Sequence, residues 1–160
     1  MFVRVKKIKN NKYAYLVENE WTPWGSRQKV SKYLGKTTLL ERNTENKPAD
    51  LPKNYTLAAT QLVIWELLNH KFEPKEQFFV KDDITVDLNK KTVRRKNKPV
   101  VLAMNEGFLC DHTIQQLLAF RPEEKHEETA KKLAQTVLEA GLKLPEEAFV
   151  QLFEIVPKDF

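Results

Sequence analysis

Residues 2–36 read FVRVKKIKNNKYAYLVENEWTPWGSRQKVSKYLGK. β-branched and aromatic residues recur through this stretch, which favours strands over helices. In a first strand over 2–9, period-two alternation puts Phe2, Arg4, Lys6 and Ile8 on one face and Val3, Val5, Lys7 and Lys9 on the other. Asn10-Asn11 is turn chemistry, and KYAYLVENE over 12–20 makes a second strand. Thr22-Pro23-Trp24-Gly25-Ser26 reads as a loop, with Pro and Gly spaced for a turn. RQKVSKYL over 27–34 makes a third strand, closed by Gly35. Three strands with so little core of their own need a covered face, so the downstream chain must pack on this meander.

Beyond the meander the chain reads as a helix, a second set of strands and three short helices. Residues 41–54, ERNTENKPADLPKN, are polar and contain Pro48 and Pro52, the composition of a linker. Thr56 then caps an apolar-periodic run, with Leu57, Thr60, Ile64 and Leu68 on one stripe and Trp65 and Leu67 widening it. Residues 78–104 read as strands, with turns at Asp87–Thr92 and at Lys96-Asn97-Lys98-Pro99. Asp111 is placed to cap a helix over 112–120. An acid-led helix comes after Pro122 and ends at Gly141. A last helix starts after Pro145, with Phe149, Leu152, Phe153 and Val156 facing a core. The predicted class is α+β, with a basic meander over 1–40, a linker over 41–54 and an α+β unit over 55–160, the whole packed as one compact body.

Composition narrows the function. No run approaches the roughly 18 apolar residues of a membrane span, and MFVRVKKIKNNKY lacks the apolar core of a secretory signal. A single cysteine, Cys110, forms no internal disulfide, so a reducing, cytoplasmic location is expected. The net charge of +5 is unevenly spread. Residues 1–36 hold nine Lys and Arg against two Glu, and residues 81–98 hold seven against three Asp, whereas residues 121–160 hold six against nine acids. Two basic blocks with an acidic end are the footprint of a polyanion binder, although a Lys-rich solvated surface produces similar counts.

Phosphate contact requires several cations on one surface. Lys6, Lys7, Lys9, Arg27, Lys29 and Lys32 supply them in the meander, and Lys90, Lys91, Arg94, Arg95, Lys96 and Lys98 crowd the second block. Exposed aromatic rings add base stacking, for which Trp21, Trp24, Tyr13, Tyr15 and Tyr33 are candidates. Tryptophan is on average highly buried, so cover for the open face of the meander is the competing role for Trp21 and Trp24.

The pattern FVRVKKIKNNKYAYLVENEW…GSRQKVSKYLGK resembles the N-terminal segment of DDE-type insertion-sequence transposases, in which such a start precedes the DNA-handling and catalytic domains. The resemblance implies nucleic-acid contact by residues 1–36. It does not imply transposition, because no DDE arrangement comes after it. The chain as a whole is similar to small uncharacterised proteins of archaeal type. Separately, I-x-V-D-x-x-x-x-x-V…K-P-V-x-L over 84–102 is similar to the β-platform of response-regulator winged-helix domains. The expected recognition helix is missing its cations: residues 112–120 contain no Lys or Arg.

Enzyme signals are weak. Asp82, Asp83, Asp87 and Glu106 carry the oxygen ligands of a hard cation but match no metal cage; a small metal-dependent nuclease is the enzyme alternative. Cys110 and His112 are too close in sequence for a nucleophile and its base. No glycine loop is present to cradle a phosphate, and no cofactor is called for. The expectation is therefore a non-enzymatic nucleic-acid binder, RNA favoured over DNA, held through basic strands. Loss of Arg94 and Arg95 together should remove much of the binding. Alternatives are a DNA-binding relative of a transposase accessory domain and a protein-interaction module whose acidic C-terminal helices dock a partner.

Overall fold

The computed structural model describes residues 1–157; the last three residues of the unit predicted over 55–160 lie outside the described residues. The fold is mixed α+β. Strands β1 (Phe2–Ile8), β2 (Asn11–Thr22) and β3 (Gly25–Leu39) form the N-terminal meander, and helix α1 (Tyr55–Asn69) comes after them. Strands β4 (Glu73–Lys75), β5 (Phe78–Lys81), β6 (Ile84–Asp87), β7 (Thr92–Arg95), β8 (Lys98–Met104) and β9 (Gly107–Leu109) come next, then α2 (Asp111–Leu118), α3 (His126–Glu139) and α4 (Glu146–Glu154). The strands make one nine-stranded sheet in the order β1-β2-β3-β8-β7-β6-β5-β4, with β9 also on β8.

The third strand is much longer than expected. It does not stop at Gly35 but runs on to Leu39, pairing Lys36–Leu39 in parallel with Val100–Ala103 of β8. A parallel partner 64 residues away in the chain (Lys36 with Val100) leaves no local trace in the sequence. Gly35 is needed for close approach and not for termination. A Cβ there would stand 2.8 Å from the Pro99 carbonyl oxygen, and its φ of 145° disfavours any side chain. The loop predicted over 22–26 is also tighter: Thr22 pairs Gly25, leaving only Pro23 and Trp24 between the strands. Proline cannot take the positive φ of the primed turns usual in hairpins, so the left-handed position falls on Gly25, at φ 114°. The Thr22 hydroxyl pins the turn, donating to the Gly25 carbonyl at 2.7 Å and accepting from the Trp24 N–H at 3.2 Å.

Helix α1 begins earlier than a Thr56 cap would dictate, because Asn54 is the cap; its side chain accepts from the Leu57 N–H at 3.0 Å. Its buried face is also not the predicted stripe. Ala58, Ala59, Leu62, Val63, Glu66 and Leu67 are buried, while Leu57 and Leu68 are exposed. Apolar residues surround this helix, so period alone does not choose its inner face. Likewise Cys110, not Asp111, occupies the N-cap of α2: the Thr113 hydroxyl accepts the Cys110 N–H at 3.0 Å. In the last helix Leu152 is buried, as is Val156 just beyond it, and Phe149 and Phe153 are half-buried against the same core.

The packing divides into two clusters. The large one gathers α1, α2, α3 and α4 over strands β6, β7 and β8. The small one holds Ala14, Leu16, Leu34, Val101 and Cys110, and it docks the base of the meander on β8. Residues 41–54 form no helix or strand but are tied to α1: Asn43 and Thr44 donate backbone N–H groups to the Asn69 carbonyl, and the Trp65 indole donates to the Asn46 carbonyl at 2.8 Å. No helix among the described residues is long and apolar enough to cross a membrane.

Candidate nucleic-acid interface

Paired residues of neighbouring antiparallel strands share a face. The register therefore builds two rows across the meander, Lys6–Tyr13–Lys36 and Arg4–Tyr15–Tyr33, on one side of the sheet. Period-two alternation along β2 carries that side on to Trp21. The three tyrosines cluster: Tyr15 and Tyr33 have ring centroids 5.3 Å apart, and Tyr13 and Tyr33 6.5 Å apart. The Lys6 ammonium lies 5.3 Å from the Tyr15 centroid, within cation–π range. Arg4 donates to the Gln28 side-chain oxygen. Burial, then the neighbouring Tyr15 and Tyr13 phenols, push the Tyr33 phenol up from its ordinary value.

The other side of the meander is different in kind. Both carboxylates of residues 1–36, Glu18 and Glu20, fall on it, opposite Lys29 and Arg27. Glu20 and Arg27 form an ion pair at 3.6 Å. Lys7 and Lys32 share this side, whose base is packed on β8 through Ala14 and Leu16. The cations named from sequence are thus divided. Lys6 joins the tyrosines; Lys7, Arg27, Lys29 and Lys32 lie behind; Lys9 stands in the β1–β2 turn with φ 57°. Arg4 and Lys36, not singled out from sequence, complete the aromatic side. Arg4 shares its parity with Lys6 along β1, but Lys36 has no such signal, because the irregularities in the β2–β3 pairing break the alternation between it and Lys32.

Both tryptophans are exposed, Trp21 at 84% and Trp24 at 95% of their surface. Neither covers the meander. They stand at the end of a two-stranded tip of the meander, because β1 pairs β2 only as far as Val17. Two bulges in the β2–β3 pairing, at Ala14/Tyr15 and Leu16/Val17, add twist where the tip leaves the three-stranded base.

The second basic block serves the fold first. Arg94 donates to both carboxylate oxygens of Asp111 at 2.8 Å, and Asp111 also accepts the Val93 N–H at 2.8 Å. This locks β7 to the first turn of α2. Arg95 pairs with Asp83 at 3.1 Å. Lys90, Lys96 and Lys98 remain exposed around the turns, with Lys91 half-buried beside them. Two of the four carboxylates weighed for a metal are similarly engaged: Asp83 with Arg95, and Asp87 accepting the N–H groups of Asn89 and Lys90 at 3.0 and 3.1 Å. Among the described residues, no group of three His, Cys, Asp or Glu side chains is placed to hold a metal ion. Burial raises the Cys110 thiol, and burial followed by the Lys32 charge lowers His112.

One polar cluster was invisible in the sequence. Glu66, fully buried in α1, accepts the Lys143 N–H at 2.6 Å and the Asn105 amide at 3.1 Å, and faces Arg42 and His70 at 3.6 and 3.2 Å. The Arg42 guanidinium stacks 4.9 Å above the Trp65 ring. A cavity of about 430 Å³ opens beside it, but Arg42, Lys47 and Lys143 are balanced there by Glu45, Asp50 and Glu147, so it selects neither charge sign.

Comparison with known proteins yields no match: no protein-family model, no curated protein and no solved structure is significantly similar to this chain.

Proposed function

We propose that this chain is a non-enzymatic nucleic-acid-binding protein that engages RNA, in preference to duplex DNA, through its N-terminal β-arm, the whole meander β1–β3. The observation that carries the reading is the arm's charge geometry. Nine cations sit in 36 residues, and the two carboxylates among them are confined to one side. The side bearing Arg4, Lys6 and Lys36 is left with uncompensated positive charge beside exposed aromatic rings. Lys90, Lys96 and Lys98 give a second, weaker contact around the β6–β7 and β7–β8 turns. RNA is favoured because a duplex-DNA reader of the helical kind offers cations along a helix placed in the major groove. Here α2 contains no Lys or Arg and buries Ile114, Leu117 and Leu118.

Salt titration of binding tests this. For a single strand the logarithm of affinity falls with the logarithm of salt at a slope of about −0.7 per phosphate neutralised. Lys6→Ala should reduce that slope by about one phosphate's worth. Absence of any binding to RNA or DNA at low salt refutes the proposal.

A further inference from the structure

We infer that the tyrosine side of the meander is a stacking platform for single-stranded nucleic acid, with Tyr33 as its central ring and Trp21 as its distal one. The inference rests on the nucleic-acid reading above and specifies the state of the strand. Tyr33 is 49% exposed and touches both Tyr13 and Tyr15, so three rings form one continuous patch. Lys6 and Lys36 flank Tyr13 in one cross-strand row, and Arg4 ends the other beside Tyr15 and Tyr33, which puts cations at the edges of the rings to hold phosphates while bases lie on the rings. Neither carboxylate of the arm is on this side. From Tyr13 to Trp21 is eight residues along β2, or roughly 26 Å, long enough to track several nucleotides. The elements packed on β1–β3 are chiefly strands, whereas the helices pack among themselves and on β7 and β9, which leaves the platform open.

The physical discriminator is base accessibility. In a duplex the base faces are stacked on one another and only phosphates and groove edges are offered. A ring platform then gains nothing beyond its cations. On a single strand each base has a free face, and a ring under it contributes stacking irrespective of sequence. The platform is therefore expected to prefer strand state over sequence.

The test is fluorescence anisotropy on the whole chain, using labelled oligouridine, labelled oligothymidine and a blunt duplex of equal phosphate count, with anionic lipid vesicles as a fourth probe. Single strands should bind more tightly than the duplex. Tyr33→Ala should weaken single-strand binding at least about fivefold, Tyr33→Phe should retain it, and duplex binding should be unchanged in both. Trp21→Ala, at a site too exposed to threaten folding, should weaken single-strand binding similarly, and bound single strand should quench tryptophan fluorescence. Equal affinity for single strand and duplex, with Tyr33→Ala and Trp21→Ala as good as wild type, overturns the platform and leaves the nucleic-acid reading standing. Binding to neither, or to vesicles alone, overturns both.

Discussion

The arm and the body of this protein use the same residue types for opposite ends. In the body, several charged side chains are paired within the fold. Glu66 is buried and ringed by Arg42, His70, Asn105 and the Lys143 N–H, Arg94 grips Asp111, and Arg95 grips Asp83. Aromatic residues there are packed, with Tyr55 buried and donating to the Leu117 carbonyl at 2.7 Å. In the arm, cations and rings are turned to solvent, and only a small apolar cluster anchors the base. Charge counts along the chain treat the two basic blocks as equals. Geometry does not: the aromatic-side cations of the first block face no carboxylate of the meander, whereas in the second Arg94 and Arg95 are each held by one and Lys90, Lys96 and Lys98 stay exposed.

The comparison breaks most easily at Glu66. Glu66→Ala leaves Arg42 without its carboxylate and the Lys143 N–H and Asn105 amide without an acceptor. Removing one partner of a buried ion pair costs about 3–5 kcal/mol. Chemical denaturation should report a loss of that size, with little change in nucleic-acid affinity. Trp21→Ala and Trp24→Ala should do the reverse. Exposed substitutions away from packing features shift stability by only about 0.5 kcal/mol, while each lost stack costs about 1–3 kcal/mol of binding. If the tryptophan variants destabilise the fold as much as Glu66→Ala does, the division between arm and body is wrong.

Asp111 sharpens the same division within the second basic block. Asp111→Ala removes the carboxylate that Arg94 Nη1 contacts through both oxygens, and an acceptor from the Val93 N–H. Hydrogen bonds to charged groups contribute about 1.5–3 kcal/mol each when well formed, and the half-exposed position places the loss toward the lower end. Arg94→Ala should cost similar stability and leave RNA affinity unchanged, contrary to what the density of charge over 90–98 leads one to expect. A drop in affinity with unaltered stability would return Arg94 to the binding surface.

Much of the fold was legible because its signals are local. Alternation marks β1 and β2, Asn and Gly mark turns, and the acidic start and Gly141 frame α3. What was missed depends on partners far apart in the chain. The extension of β3 past Gly35 exists because β8 waits beside it. The inner face of α1 is chosen by what packs there, and it includes Glu66 because Arg42, Asn105 and Lys143 arrive from elsewhere. The candidate site was half legible for the same reason. Sequence alone points to Lys6 and Trp21 with Tyr13, Tyr15 and Tyr33, but it pools cations from both sides of the sheet. Only the register separates Lys6 from Lys7 and brings in Arg4 and Lys36.

His112 probes the seam between the two regions, and its effect is the smallest. It sits in the first turn of α2, and its pKa is lowered first by burial and then by Lys32, which reaches it from the arm; the N-terminal amine adds to the shift and Glu139 opposes it. In the unfolded chain the imidazole titrates near its ordinary value of about 6.5. The folded state takes up the proton only at lower pH. Between the two values the unfolded chain binds more protons, so stability rises with pH there and falls as the solution is acidified through that window. Below the folded value both states are protonated and this contribution to the loss levels off. Lys32→Ala should move the folded titration back toward the ordinary value without abolishing the shift, since burial remains. Histidine proton chemical shifts measured by NMR across pH, against an His112→Asn variant for assignment, would show it. An unmoved titration would mean that Lys32 is not held beside α2, and that the arm's base is docked less firmly than the packing of Leu16, Leu34 and Cys110 requires.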